Sequence, residues 1–378
     1  MKNNGLTMIG GSMQGLKLSA DVADDSPKGT LAVRDGFVRT KSDDGWLSSA
    51  DIRDRLFDFS SVTLKPTKVG ATGPSLAQAR EGLPIAQYPW ASDTTFFSSI
   101  AGILSFLVPM DGQYRITAQG ATRAEITGTG RSAIMEVQGV FDLKAGDKLY
   151  IVVGQMGALV NGLYAKVAGG AGGTFVSLNG RTAADLLLVS GGACSSYNAD
   201  ASVGTTAPAP AKGAANLGLS SIYIVSISGS GVWATPPNST ISYQGDSESA
   251  SGSYVYQGIV GGGGGARQRN AVPTSQGQSF ENGATGGLAS GVSQYRANGG
   301  FGGGGGNGYP DADKMGGTFV PGSGGYSGGF ASGSPRRVGH IGGAGGNFIN
   351  FAKAIAPKST TISKTVVENG SCKIELVG

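Results

Sequence analysis

Ionisable chemistry is what this chain has least of. Only 14% of its 378 residues are charged, and the formal net charge is +4. A nucleic-acid-binding protein would carry a concentrated basic stripe, so nucleic acid is not an expected partner. The dense cationic spots are Arg267 with Arg269 and Arg336 with Arg337, and two arginines on a loop read first as solvated surface. Cys194 and Cys372 are the sole cysteines; their separation offers no metal-ligand spacing and leaves open a long-range disulfide or two buried thiols. No apolar run spans a bilayer, because the most apolar stretch, 96–109, is short and holds Ser98, Ser99 and Ser105. Mixed polar sequence after Met1-Lys2-Asn3-Asn4-Gly5 shows no apolar h-region, so no secretory signal is expected.

Catalytic constellations are equally thin. His340, the single histidine, stands in Arg336-Arg337-Val338-Gly339-His340-Ile341-Gly342 with no Ser or Cys nucleophile motif beside it. Asp24-Asp25, Asp43-Asp44 and Asp311-Ala312-Asp313 read as turns, and the last lacks the acidic twelfth position of a calcium loop. No GxxxxGK[ST] phosphate loop occurs. The chain is therefore expected to hold no catalytic, cofactor-binding or metal-ligating residues. Glycosidase carboxylates lie far apart in sequence in many enzymes, which keeps a polysaccharide-degrading reading open, although the long β-helix repeat of such spikes is missing.

What the sequence has in excess is glycine, 68 residues of it, with unbroken runs at Gly261–Gly265 and Gly302–Gly306. Each glycine costs about 0.8–1 kcal/mol relative to alanine in a helix, and a strand of glycines has nothing to pack. Two options remain: a flexible solvated linker, or extended polyglycine helices whose amides bond to closely approaching neighbours. Between the runs stand Phe280, Tyr295, Phe301, Tyr309, Phe319, Tyr326, Phe330 and Phe348. Rings of that size favour burial, so the ordered option is expected. There is no Gly-X-Y period of the collagen type.

Residues 1–60 form a separate expected module: short strands at 6–9 and 16–18, a hairpin about Asp35-Gly36, and a helical turn capped by Ser48 or Ser49 that includes Ala50, Ile52, Leu56 and Phe57. It reads as an attachment piece or as an edge of the neighbouring domain. Pro66, Pro74, Pro84 and Pro89 with Gly70, Gly73 and Gly82 mark 61–95 as an extended connector. From 96 to 378 the strand pattern becomes regular, at 113–118, 133–137, 140–143, 148–153, 174–178 and 185–189. No long helical pattern intervenes, which indicates an antiparallel sandwich. A closing strand at 372–377 makes the glycine-rich 258–347 an insertion anchored at both ends, preceded by a Ser/Ala/Pro-rich excursion at 194–257 with strand-like 222–227 and 254–256.

The order Gly112-Gln113-Tyr114-Arg115-Ile116, Gly139 to Leu149, Val152-Val153-Gly154-Gln155-Met156-Gly157, Gly169 to Val176 and Leu187-Leu188-Val189-Ser190-Gly191-Gly192 resembles the glycine-rich domain of anaplastic lymphoma kinase receptors. Gly299-Gly300-Phe301-Gly302, Gly324 to Gly329, Gly342 to Phe348 and the last strand continue the likeness, which covers roughly residues 105 to 378. Its glycine motifs, separated by variable loops, are also similar to the distal tail-fibre adhesins of T-even-like bacteriophages. The resemblance implies a mainly β protein: a tumour-necrosis-factor-like antiparallel sandwich carrying an inserted bundle of polyglycine II helices. The chain shows no kinase, span or signal, which argues against a receptor; its N-terminal module has no counterpart in the phage adhesins, and the 194–257 excursion exceeds the simplest pattern.

What the resemblance further implies is a non-enzymatic phage tail-fibre or baseplate-tip adhesin, made in the host cytoplasm and carried on the virion. Its expected partners are a bacterial surface polysaccharide, pilus or outer-membrane protein, and other tail proteins through residues 1–60, with a homotrimer as the expected assembly. The alternatives are a structural baseplate component, a polysaccharide-degrading tailspike, and a cellular adhesin, which would need an export route. Loops between the glycine runs supply the candidate receptor-binding residues Arg267, Arg269, Tyr295, Arg296, Tyr309, Asp311, Lys314, Arg336, Arg337 and His340. Tyr, Arg and Asn at loop tips give broad contact for little ordering cost; the competing reading is that Tyr295 and Tyr309 merely cover the bundle.

Overall fold

A computed structural model describes residues 56–122, 124, 133–161, 166–193, 261, 263–267, 274–291, 293–308, 321–326, 328–329, 345–350, 352–364 and 368–378. It also describes strands within 31–48 and at 195–196, 215–216, 248–251, 257–260, 318–320, 332–334 and 341–342. The described chain is mainly β, with antiparallel sheets and one short α-helix, Leu76–Arg80. A capping box starts that helix: Ser75 Oγ accepts from Gln78 N, and Gln78 Oε1 accepts from Ser75 N.

Alternating apolar residues build the first large sheet. Five strands lie in the order Ala354–Lys364, Ala133–Leu143, Gly112–Gln119, Ser371–Leu376, Ser61–Leu64. Along Gly112–Gln119 the buried positions are Tyr114, Ile116 and Ala118; Cys372 and Ile374 repeat the pattern on the next strand, and Val62 and Leu64 on the last. One face of this sheet is therefore apolar and the other wet, as the period of two requires. Expected strands at 133–137 and 140–143 are a single strand, Ala133–Leu143, paired without interruption to Gly112–Gln119.

The second sheet has seven strands: Ala215–Asn216, Asn347–Ile349, Leu186–Ser190, Thr174–Leu178, Lys148–Val152, Ile103–Leu107 and Phe97–Ile100. Its central strands Thr174–Leu178 and Leu186–Ser190 are buried nearly throughout. Leu104, Phe106, Leu149, Ile151, Val176 and Leu188 join Tyr114, Ile116, Val137, Phe141 and Ile374 of the first sheet in one apolar cluster. Facing the other way, Val152, Phe175, Leu186 and Val189 join Phe280, Phe301, Tyr326 and Phe348 in a second cluster. The sheet is thus covered on one face by the five-stranded sheet and on the other by aromatic rings from the glycine-rich segments.

Residues 61–95 are not the expected connector. Ser61–Leu64 is an edge strand in register with Ser371–Leu376, and Phe59, Leu83, Trp90 and Ala91 lie in the main core. Trp90 stacks on Phe57 at 5.2 Å between centroids and meets Phe106 edge-on at 5.3 Å. The four prolines bend this segment across the core rather than away from it, because its rings gain more from burial than an open linker would allow.

Nearer the N-terminus, the Asp35-Gly36 hairpin forms as the turn chemistry requires, pairing Leu31–Arg34 with Phe37–Ser42. Gly45–Ser48 adds a third strand, with Ser48 paired to Arg39 at its end. Residues 49–55 of the expected helical turn, the expected strands at 6–9 and 16–18, and the strand-like 222–227 and 254–256 lie outside the described residues. Leu186–Ser190 pairs with Asn347–Ile349, so the chain leaves the seven-stranded sheet and returns beside its point of departure.

Candidate functional site

Glycine places the site by removing the spacing that side chains impose. The segment 298–306 sits at the centre of the glycine-rich region. Gln155 N and Ala158 N donate to the Phe301 and Asn298 carbonyls, Gly170 N and Gly173 N to those of Gly305 and Gly302, and Gly261 N and Gly264 N to those of Gly306 and Gly303, all at 2.6–2.9 Å. On its other sides Gly287 N reaches the Gly304 carbonyl at 2.8 Å, Gly305 N reaches that of Gly322 at 2.9 Å, and Gly306 N reaches that of Ser275 at 2.7 Å. A strand in a sheet bonds to at most two neighbours; this segment bonds to more, in several directions around its axis.

Such closeness tolerates no Cβ. One built on Gly192 would lie 2.6 Å from the Ala171 carbonyl oxygen, and one on Gly325 would lie 2.6 Å from Gly346 N. Gly302 and Gly303 add a conformational demand, with φ of 96° and 84° at the turn where the segment reverses. Small side chains fill the gaps in bonding: buried Ser323 donates from Oγ to the Ala193 carbonyl at 2.6 Å, and Asn347 Oδ1 accepts from Gly191 N at 2.8 Å.

A buried amide pair fastens this region to the N-terminal stretch. Asn369 Nδ2 donates to the Pro66 and Lys68 carbonyls at 2.9 and 2.8 Å, while its Oδ1 accepts from Met156 N at 2.9 Å. With its amide nitrogen turned toward them, Gln155 reaches the carbonyls of Gly70 and Thr72 at 3.2 Å and of Lys68 at 3.3 Å. Buried aromatic rings pack in pairs beneath it, with Tyr326 parallel to Phe348 at 4.3 Å and Phe175 parallel to Phe280 at 5.3 Å. Burial pushes the Tyr326 phenol up to about 12, against a smaller opposing effect of the Arg267 charge.

Asn307–Gly308 pairs antiparallel with Gln257–Val260, Asn307 opposite Val260 and Gly308 opposite Ile259. Ala297 bridges Asn307, and Asn307 Nδ2 donates to the Ala168 carbonyl at 3.3 Å. Ala158 and Ala289 both donate to Asn298, which brings the hairpin Leu159–Asn161/Lys166–Ala168 beside the turn at Ser293–Tyr295. Here Leu159 and Leu288 are 39% and 53% exposed, and Ser293, Gln294 and Arg296 face solvent.

Among the sequence-derived candidates, Arg296 lies at this end, exposed, with Nε donating to the Gly291 carbonyl. Tyr295 does not present itself for contact: it is fully buried. That is a correction with a simple cause, since a ring within a glycine-rich turn fills the space its neighbours leave. Arg267 is half-buried on the side of the second core, its Nε 3.9 Å from Glu281 Oε1, which also accepts from Ala183 N at 2.9 Å. Arg269, Tyr309, Asp311, Lys314, Arg336, Arg337 and His340 lie outside the described residues. Of the strands on either side of 335–340, Ser332–Ser334 pairs with Thr318–Val320 and Ile341–Gly342 pairs with Ser195–Ser196.

The hairpin Leu159–Ala168 was missed by sequence reasoning. Its signal, Leu159-Val160-Asn161 and Lys166-Val167-Ala168 about Gly162, is short and lies between two glycine motifs. Cys372 is a free, buried thiol pushed up to about 12 by burial, and Cys194 lies outside the described residues. Among the described residues no group of three or more His, Cys, Asp or Glu is placed to hold a metal ion, and no helix is long and apolar enough to cross a membrane. Comparison with protein-family models and with curated proteins gives no match.

Proposed function

We propose that the chain is a bacteriophage receptor-binding protein of the tail fibre or baseplate tip, which attaches the virion to the bacterial surface without catalysis. The observation that carries this reading is the bonding of segment 298–306 to neighbours on several sides, through backbone alone. A block held that way is stiff and frees its connecting loops from any structural duty, which suits variable recognition loops on a rigid platform. The same bonding supports the finer fold reading, polyglycine II helices inserted in a tumour-necrosis-factor-like sandwich of the anaplastic lymphoma kinase glycine-rich type. Recognition is assigned to the loops 289–296, 309–317 and 335–340 with the hairpin tip 162–165, and virion attachment to residues 1–60. A trimeric fibre would add avidity to individually weak contacts.

Adsorption of the full-length chain to intact candidate host cells tests the proposal, against cells stripped of surface polysaccharide or pili. Saturable binding that one of these treatments abolishes, together with antibodies against the chain that block infection, is the expected result. Absence of adsorption to every strain the phage infects would overturn it in favour of a purely structural tail component.

A further inference from the structure

We propose that the outer face of the seven-stranded sheet, near its Phe97–Ile100 edge, holds a binding site for an acidic saccharide, a sugar whose ring carries a carboxylate. Opposed residues of antiparallel strands share a face, and successive residues alternate. The register therefore sets Ile100, Ile103, Val152, Phe175 and Val189 in one row across this sheet, and Ser98, Ser105, Tyr150 and Ser177 in the next. From Ile103 to Val189 the first row is buried in the second core with Phe280, Phe301, Tyr326 and Phe348. That cover thins at the second row: Ser98, Ser105 and Tyr150 are half-buried, and Ile100 on the same edge is 70% exposed. Lys148, half-buried and two residues from Tyr150, continues the face. Arg181 reaches it from beyond the Asn179-Gly180 turn, its guanidinium carbon 6.0 Å from the centre of the Tyr150 ring. Sequence reading did not join these residues, because they come from separate strands and a turn and meet only through the pairing.

Each group matches one part of such a ligand. Packing against the second core holds the Tyr150 ring in place, and a half-exposed ring offers its electron-rich face to the C–H face of a sugar. The Ser98 and Ser105 hydroxyls lie 2.7 Å apart and share one hydrogen bond, which leaves the pair a second proton and further lone pairs for sugar hydroxyls. Arg181 is exposed, and among the described residues neither Arg181 nor Lys148 forms an ion pair. At 6.0 Å the arginine stands at the outer limit of a cation–π contact, so its fork of donors can turn to a carboxylate at little cost. The neighbouring acids turn oxygens to donors of their own turns: Asp147 accepts from Asn179 Nδ2 and Lys144 N at 2.7 and 2.9 Å, and Asp185 from the Thr182 hydroxyl and amide at 2.7 and 2.9 Å. A nucleobase would also stack on Tyr150, but surfaces for single strands supply a series of rings. Tyr150 is the lone aromatic of its row, and the other three positions carry hydroxyls.

The site lies apart from the loops assigned to recognition, and only the reading of the saccharide as part of a host surface rests on the receptor-binding function. The test is isothermal titration calorimetry of the full-length chain with oligogalacturonate, with oligoalginate, with a neutral maltooligosaccharide and with oligothymidylate. Saturable binding of at least one uronate oligomer is expected, weakened by salt. Affinity should be about tenfold or more lower for the maltooligosaccharide and for Arg181→Gln, which removes a charge-assisted bond from an exposed position. Tyr150→Ala should abolish binding with the circular dichroism spectrum unchanged; if that variant unfolds, Arg181→Gln carries the test. Failure of both uronates to bind, equal affinity for the neutral sugar, or an Arg181→Gln variant that binds as the parent does would overturn the proposal. Tighter binding of oligothymidylate would overturn it in favour of a nucleic-acid surface. Titration with free oligosaccharide reads this face alone, so its failure leaves host-cell adsorption through the loops untouched, and failed adsorption leaves this site untouched.

Discussion

A methyl group on Gly192 has nowhere to go, since the Ala171 carbonyl carbon, the Ala171 oxygen and the Gly172 oxygen all stand within 3.0 Å of where its carbon would sit. Backbone cannot swing aside as a side chain can, so Gly192→Ala is expected to cost roughly 1–3 kcal/mol or more in urea denaturation. Gly82→Ala is the matched control: its nearest neighbour is the Lys65 carbonyl oxygen at 4.0 Å, and the change should fall within about 0.5 kcal/mol of zero. Asn369→Ala removes both bonds to the Pro66 and Lys68 carbonyls and orphans Met156 N. A loss of roughly 2–4 kcal/mol is expected from unsatisfied buried groups. Cys372 gives a pH signature. Burial lifts its thiol from 9.0 to about 12, so between those values the unfolded chain has released a proton the native chain keeps. Stability therefore falls as pH rises through this window, by up to about 1.4 kcal/mol per pH unit. Below pH 9 both states hold the proton and this dependence vanishes. Cys372→Ala should lose this slope, and the native thiol should resist alkylation at about pH 8 until the chain is unfolded, as mass spectrometry of its peptide would reveal.

Strands and loops divide the labour at the next scale. On the proposed receptor-binding reading, exchange of 309–315 or 335–340 for other loop sequences should change host range while leaving the melting temperature nearly constant, because the described strands that flank them are held by backbone pairing outside the exchanged residues. A changed melting temperature with unaltered host range would assign these loops to structure. Legibility differed among elements for definable reasons. Gly112–Gln119 alternates over eight residues and could be read directly, as could the hairpin about Asp35-Gly36. Ser61–Leu64 could not: four residues alternate there, and Pro66 and the glycines beyond outweigh them locally. Tyr295 reads as a loop tip because its neighbours are polar, yet it is fully buried, which packing remote in sequence decides and no local pattern fixes.

The molecule as a whole is stitched from its two ends. Ser371–Leu376 runs between Gly112–Gln119 and Ser61–Leu64, so the last strand is central and the first described strand of this domain covers its edge. Lys65 adds an ion pair to Glu368, a partly exposed contact worth little by itself. A chain that begins at residue 90 would lack Phe57, Phe59, Val62 and Leu64 from the main core. It is expected to be largely unfolded by circular dichroism and proteolysis, whereas one that begins before Leu56 should retain cooperative unfolding. Equal stability of the two would show that the 56–89 stretch is dispensable.

Composition alone settled that this protein is glycine-built and low in charge, and alternation settled that its regular elements are antiparallel strands, because both properties are local. The burial of Phe280, Phe301, Tyr326 and Phe348 was legible too, since rings of that size favour burial. Which tract meets which was decided by the tertiary structure: glycines have no side chains to encode a partner, and their bonds run to whichever backbone the two sheets bring within reach.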